Sequence, residues 1–170
     1  MKFHFQLATR KNISEIMKLM EYTRKAITPK EWFVDDTQDY MENLIAKDGF
    51  IVLAYPENIS SLAGFFAVKF PKDSDDNLGH FLNFSNHQLL QCAHMDSAIV
   101  SEQYRGNHLQ AQMAAVAETL LHQLPYRYLF ATVHPDNIFS LNNMISCGYE
   151  IIANTHLYGG LPRMIIYKEL

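Results

Sequence analysis

The sequence predicts one α/β domain. Two kinds of pattern carry that reading: short stretches that alternate apolar and polar residues or are wholly apolar, and two longer stretches whose apolar residues recur every three or four positions. Gly, Pro, Asn and Asp punctuate the boundaries between them. The chain has 170 residues and is 48% hydrophobic, the length of a single domain spanning 1–170 and enough to bury a core without disulfide or metal staples.

The elements read in the order β-α-α-β-β-loop-β-α-β-α-β-β. Phe3, Phe5 and Leu7 alternate as a half-buried strand does. Asn12 with Glu15 resembles a capping box, after which Ile13, Ile16, Met17 and Met20 fall on one helical face. A shorter helix is expected over residues 37–46, ended by Gly49, and Phe50-Ile51-Val52-Leu53-Ala54 reads as a strand. Pro56-Glu57-Asn58 turns the chain into a further strand over 62–70. Residues 71–91 show no clear period, and a gap of that length inside a compact domain is usually functional or partly ordered. The next strand covers 92–100. The helix after Gly106 carries Leu109, Met113, Val116, Leu120 and Leu124 as an apolar stripe, and Pro125 stops it. Residues 127–133 are strand-like. Asp136 or Asn137 caps another helix, with Ile138, Leu141 and Ile145 inward and Gly148 as its C-terminal stop. Residues 149–153 and 164–167 read as a closing strand pair.

Composition excludes several classes. The formal net charge is -4, with 14 Lys and Arg against 18 Asp and Glu, which leaves no footprint for nucleic acid. The charges are scattered apart from Lys72-Asp73-Ser74-Asp75-Asp76, which reads as a solvated loop. Met1 to Leu7 shows no signal-peptide pattern, and no run of about 18 apolar residues could span a membrane. Cys92 and Cys147 lack metal-ligand spacing and read as reduced thiols of a cytoplasmic protein. The histidines are dispersed, without a His-x-x-x-His pair, so no metal is expected.

The stretch Ile99-Val100-Ser101-Glu102-Gln103-Tyr104-Arg105-Gly106-Asn107-His108-Leu109-Gln110 carries the chemistry. It reads as a buried strand end, a tight Arg-Gly turn and the start of an amphipathic helix. Such a junction gathers free backbone N–H groups at the positive end of a helix dipole, a pocket for phosphate or pyrophosphate. Many α/β proteins make the same turn for structural reasons, so both readings stand at this point. Asp96 and His94 share one face of the preceding strand. An ionisable pair there is costly unless solvated, paired or functional. One of the two is a candidate general base, and a hydrogen-bonded structural pair is the equal alternative. Cys147 and Met144 read as packing residues.

Two segments, in this order, resemble the GNAT superfamily of acyl-CoA-dependent N-acyltransferases. The first is Val100-x-x-x-Tyr104-Arg105-Gly106-Asn107 entering a helix. The second is Val133-His134-Pro135-Asp136-Asn137-x-x-Ser140-Leu141, followed by Gly148-Tyr149. The tail Tyr158-Gly159-Gly160-Leu161-Pro162-Arg163 also looks like a bacterial-type subgroup whose substrates are unknown. The resemblance implies a mixed, mainly antiparallel sheet flanked by helices, with its fourth and fifth strands parallel and splayed into a V. It implies acetyl-CoA as co-substrate, no metal, and transfer of an acetyl group to a primary amine by direct attack without a covalent intermediate. The pantetheine arm would pair with the strand edge at Ala98, Ile99 and Val100. The pyrophosphate would lie on the turn formed by Arg105, Gly106, Asn107, His108, Leu109 and Gln110, with Asn137 and Ser140 beside the cofactor.

The family's turn is written Arg/Gln-x-x-Gly-x-Gly/Ala, so His108 and Gln110 stand where small residues belong. A side chain at 108 is expected to require a permitted φ. Many members carry a Tyr seven residues after the Asn, where Met144 stands here. These departures keep a non-catalytic acyl-CoA-binding or regulatory module open as the alternative. Asn137 could equally be only an N-cap, and Arg105 or His108 only exposed turn residues. The acceptor is a small-molecule or peptide amine, no nucleic acid or membrane partner is expected, and a homodimer stays open.

Overall fold

The computed structural model describes residues 1–26, 28–34 and 36–170. Seven strands form one sheet in the order β1-β2-β3-β4-β5-β7-β6. They are β1 (Phe3–Leu7), β2 (Gly49–Pro56), β3 (Gly64–Lys69), β4 (Cys92–Val100), β5 (Tyr128–Val133), β6 (Glu150–Leu157) and β7 (Leu161–Glu169). Every pairing is antiparallel except β4 with β5, which is parallel.

Helices cover both faces. On one lie α1 (Ile13–Ala26) and α2 (Gln38–Asn43), the latter running on through a wider helical turn at Leu44–Asp48. Ile13, Ile16, Leu19 and Met20 of α1, with Met41 and Leu44, bury against Ile51, Leu53, Phe65 and Ile99 of the sheet. On the other face lie α4 (Leu109–Leu121) and α5 (Ile138–Ser146). Leu109, Met113, Ala117 and Leu121, four residues apart, pack with Leu141 and Met144 on Val52, Phe66, Met95, Leu129 and Ile166. Full burial of each such large side chain stabilises the fold by roughly 1.5–3 kcal/mol.

Several boundaries and faces differ from the sequence reading. The first capping box is formed by Thr9 and Asn12, one turn earlier than the Asn12–Glu15 pair; Asn12 then donates to Glu15. The α4 stripe rotates, so that Ala117 and Leu121 are buried while Leu124, beyond the helix, is exposed. On α5, Ile138 and Ile145 point outward and Met144 takes the inward place beside Leu141. The segment 71–91 is ordered by a 3-10 turn, Leu78–Leu82, and a short helix α3, Asn86–Leu89. Asn77 binds that segment together, donating to the Lys72 and Leu89 carbonyls and accepting from the Gly79 N–H.

Two irregularities in β4 make the site. Opposite β3 the register shifts between Phe66, paired with Ala98, and Val68, paired with Met95. One extra residue therefore sits in β4, a bulge that bends the strand. On its other side β4 meets β5 only at Cys92, Ala93 and His94, and the two strands then diverge. The edge of β4 from Asp96 to Val100 faces an open V rather than a neighbouring strand.

Candidate active site

The V opens into a cleft of about 1280 Å³ that runs from the turn before α4, past β4 and β5, to the β6–β7 hairpin. Single drug-sized ligands typically occupy pockets of roughly 300–1,000 Å³, so the cleft has room for two reactants end to end.

One end is built by the turn. Ser101 follows β4, a 3-10 turn covers Glu102–Tyr104, and Gly106 takes φ +80. Asn107 ties the turn to itself: its Nδ2 donates to the Tyr104 carbonyl at 3.0 Å, and its carbonyl accepts from Gln112. His108 precedes α4 with φ 53 and ψ 29, in the left-handed region, which is permitted but uncommon for a residue with a side chain. Histidine is among the residues that tolerate this region, at a cost that glycine does not bear. The His108 side chain does not cap the helix. The first-turn N–H groups of Leu109, Gln110 and Ala111 therefore lack intrahelical acceptors and point out of the helix end, where its dipole is positive. Arg105, Gly106 and His108 are exposed on the same turn.

Across the V, Asn137 is the N-cap of α5, and its Oδ1 accepts from the Ser140 N–H at 3.2 Å. The Ser140 hydroxyl in turn accepts from Gln110 Nε2 at 3.1 Å, and Gln110 Oε1 accepts from Asn143 at 3.4 Å. Gln110 thus reaches sideways from α4 to α5 and away from the bare helix end. The small residue of the family pattern is replaced here by a strut between the two arms of the V.

The middle of the cleft is set by the bulge. Met95 and Ala98 face α4, whereas Asp96 and Ser97, side by side in the bulge, face α2 and the segment that leads into it. The Tyr40 hydroxyl donates to Asp96 Oδ2 at 2.7 Å, and Ser97 donates to the Asp36 carboxylate. Burial raises the Asp96 pKa, with the Tyr40 bond pulling against it. Burial and the neighbouring Asp96 charge raise the Tyr40 pKa, so the phenol stays protonated and remains the donor. His94 is differently placed. Its Nε2 accepts the Leu78 N–H at 3.0 Å, and burial depresses its pKa to about 3. A neutral imidazole with one nitrogen accepting carries its proton on the other, so His94 has no spare lone pair for a substrate proton.

The far end holds groups that sequence reasoning did not single out. Tyr158 shares a hydrogen bond with Thr132 at 3.1 Å, Arg163 lies 5.5 Å from the Tyr158 ring centroid, and His134 is buried beneath Trp32. Tyr158, Arg163 and His134 stand in the segments that carry the family resemblance without an assigned role, and they meet because β7 returns between β5 and β6. Among the described residues there is no group of three or more His, Cys, Asp or Glu placed to hold a metal ion. No helix among them is long and apolar enough to cross a membrane.

No protein-family model and no curated protein matches the chain. Solved structures do. NAA60 of Arabidopsis thaliana in complex with acetyl-CoA superposes with a TM-score of 0.77 at 14% identity, covering 99% of each chain. The ribosomal-protein-alanine N-acetyltransferase of Brucella melitensis gives 0.73 at 14% identity over 98% of this chain and 99% of that one. An acetyltransferase of the GNAT family from Streptococcus pneumoniae gives 0.70 at 14% identity, covering 99% of each chain. With its parallel β4–β5 pair and seven-stranded mixed sheet, this chain has the fold of the GNAT acetyltransferases.

Proposed function

We propose that this protein transfers an acetyl group from acetyl-CoA to a primary amine. The observation that carries the reading is the conjunction of a strand edge left open by the β4–β5 divergence with an uncapped helix N-terminus at the mouth of the same cleft. An extended amide chain ending in a pyrophosphate is the ligand whose two halves match those two features. The neighbours in the fold add support, since one of them is described with acetyl-CoA bound.

In this reading the edge at Ala98, Ile99 and Val100 pairs with the pantetheine amides, and a backbone N–H there polarises the thioester carbonyl. The turn from Arg105 through Gly106, Asn107 and His108 to Leu109 and Gln110 receives the pyrophosphate, Arg105 adding the positive charge. Asn137 spends its Oδ1 on its own helix and has its Nδ2 left for the cofactor; Ser140 lies on the following turn. Asp96 is the general base and Tyr40 is its positioning residue. The acceptor ammonium loses one proton to Asp96, the neutral nitrogen forms the new C–N bond, its second proton passes to solvent as the C–S bond breaks, and the sulfur leaves as a thiolate. Met144 is buried in the core and offers no acid. A thiol has a pKa near 8.5, so water suffices to protonate the leaving group.

The test is release of the CoA thiol from acetyl-CoA by the purified protein across a panel of amines. Tight acetyl-CoA binding without turnover on any amine would instead support a non-catalytic acyl-CoA-binding module. The Gln110 strut, the left-handed His108 and the absence of an acid at Met144 favour that second reading.

A further inference from the structure

Arg163 is, among the described residues, the only arginine that is buried, at 3% exposed. It lies on β7 opposite Thr155 of β6 and lines the cleft. Two of its bonds go to main-chain carbonyls: Nη1 to Pro162 at 2.7 Å and Nη2 to Glu31 at 2.9 Å. A guanidinium has five N–H groups, so these carbonyls leave others over. No carboxylate among the described residues pairs with it, and burial lowers its pKa. A buried cation without an anion is costly, and the face of Tyr158 offsets only part of that cost.

The other cation in this part of the cleft, Lys69, is already paired with Asp76. On the opposite arm stand Asp96 and Asp36, held by Tyr40 and Ser97. Tyr158 lies between the two arms: burial raises its pKa, its bond to Thr132 opposes that, and the charges of Asp96 and Arg163 both reach its hydroxyl. The acceptor end is therefore bipolar, acidic on the β4 side and cationic on the β7 side.

We propose that Arg163 receives a carboxylate of the acceptor, so that the amine acetylated is that of an amino acid. This rests on the acetyl-transfer reading above. An ammonium group is drawn to the Asp36–Asp96 side while the carboxylate of the same molecule meets the guanidinium, whose planar fork fits it. A polyamine would leave Arg163 uncompensated and place a second cation against it. A peptide N-terminus has an uncharged amide where the carboxylate would be. A phosphate dianion would need more positive charge than one arginine supplies beside two aspartates.

The experiment titrates the CoA-saturated protein with amino acids and with the matching amino-acid amides, following the Arg163 Nε–H resonance by NMR, assigned with Arg163→Lys. In parallel, calorimetry measures acetyl-CoA binding. At least one amino acid should move that resonance and bind about ten- to a hundredfold more tightly than its amide. Arg163→Lys should shrink the preference, chiefly through KM. Amides binding as well as acids throughout the panel, or an Nε–H resonance that no amino acid moves, would overturn the proposal. Failure of acetyl-CoA to bind in the calorimeter would remove the transferase reading instead, and the Arg163 titration is then read on the free protein. Should Arg163→Lys not fold, the comparison of acid with amide on the unaltered protein decides alone.

Discussion

Asp96→Asn separates a catalytic carboxylate from a structural one, because the two roles predict opposite results for activity and stability. The Asp96 carboxyl is buried in the bulge of β4 and accepts the Tyr40 hydroxyl at 2.7 Å. Asparagine has the same shape, and its Oδ1 takes the same hydroxyl, so the contact survives. The folded-state pKa of Asp96 is raised by burial. Folding therefore favours the protonated acid, and the group's contribution is most favourable below its unfolded pKa of about 3.9 and lost as pH rises through the folded value. Relative to the unfolded chain, burial makes the ionised form of this carboxyl a net cost to the native state. The variant is expected to be at least as stable as the parent at pH 7 in urea titrations, with its advantage fading at low pH.

Turnover should move the other way. A positioned general base contributes about a hundredfold to ten-thousandfold, so kcat near pH 7 should fall by at least about a hundredfold. An alkyl amine with a pKa of about 10.4 gains tenfold in its neutral fraction with each pH unit below that value, so the deficit should narrow between pH 7 and 9. The assay is CoA release on the best amine acceptor across that range, beside acetyl-CoA affinity, which should be unchanged. A variant that keeps turnover within tenfold of the parent at pH 7 refutes the assignment. A variant that loses stability at pH 7 refutes the electrostatic argument.

Three further outcomes are expected. Acetyl-CoA at about a hundred times its Kd should stabilise the fold by roughly 2.7 kcal/mol, or about 5–10 °C in Tm for a domain of this size, with NAD and ATP giving much less; equal shifts for all three would count against the site. His108→Gly relieves a left-handed φ of 53 at an exposed position that makes no cap, and should stabilise the unliganded protein by about 0.5–1 kcal/mol after glycine's larger unfolded-state entropy is deducted; a loss of stability would show that the imidazole has a partner not accounted for. His94 binds its proton at about 3 when folded and near 6.5 when unfolded, so its contribution is intact above pH 6.5 and falls by about 1.4 kcal/mol per pH unit below it; His94→Gln, which still accepts the Leu78 N–H, should flatten that part of the stability–pH curve, and an unchanged slope would refute the account.

Local sequence determined the strands, the two long helices and the turn at Arg105-Gly106, because hydrophobic period, Asn or Gly at the ends and a proline stop act within a few residues. The Asn137 cap and the Gly148 stop were legible for the same reason. The resemblance to GNAT proteins rested on those local segments and implied the splayed β4–β5 pair that the sheet has. Helix faces were less legible: Met144 rather than Ile145 turns inward because the crossing of α5 over the sheet, and not its own period, selects the buried side. The left-handed turn at His108 was hidden, since nothing in an imidazole announces φ and only the path from β4 into α4 imposes it. Asp96 and His94 looked alike on the strand. Tertiary structure alone told them apart, giving one the Tyr40 hydroxyl from a helix 56 residues away and the other the main-chain N–H of Leu78. Arg163 belonged to a tail segment with no chemistry of its own; the return of β7 beside β5 and the carbonyl of Glu31, 132 residues distant, made it a buried cation in the cleft wall. Contacts of that range are set by which elements pack together, and a pattern read a few residues at a time contains no term for them.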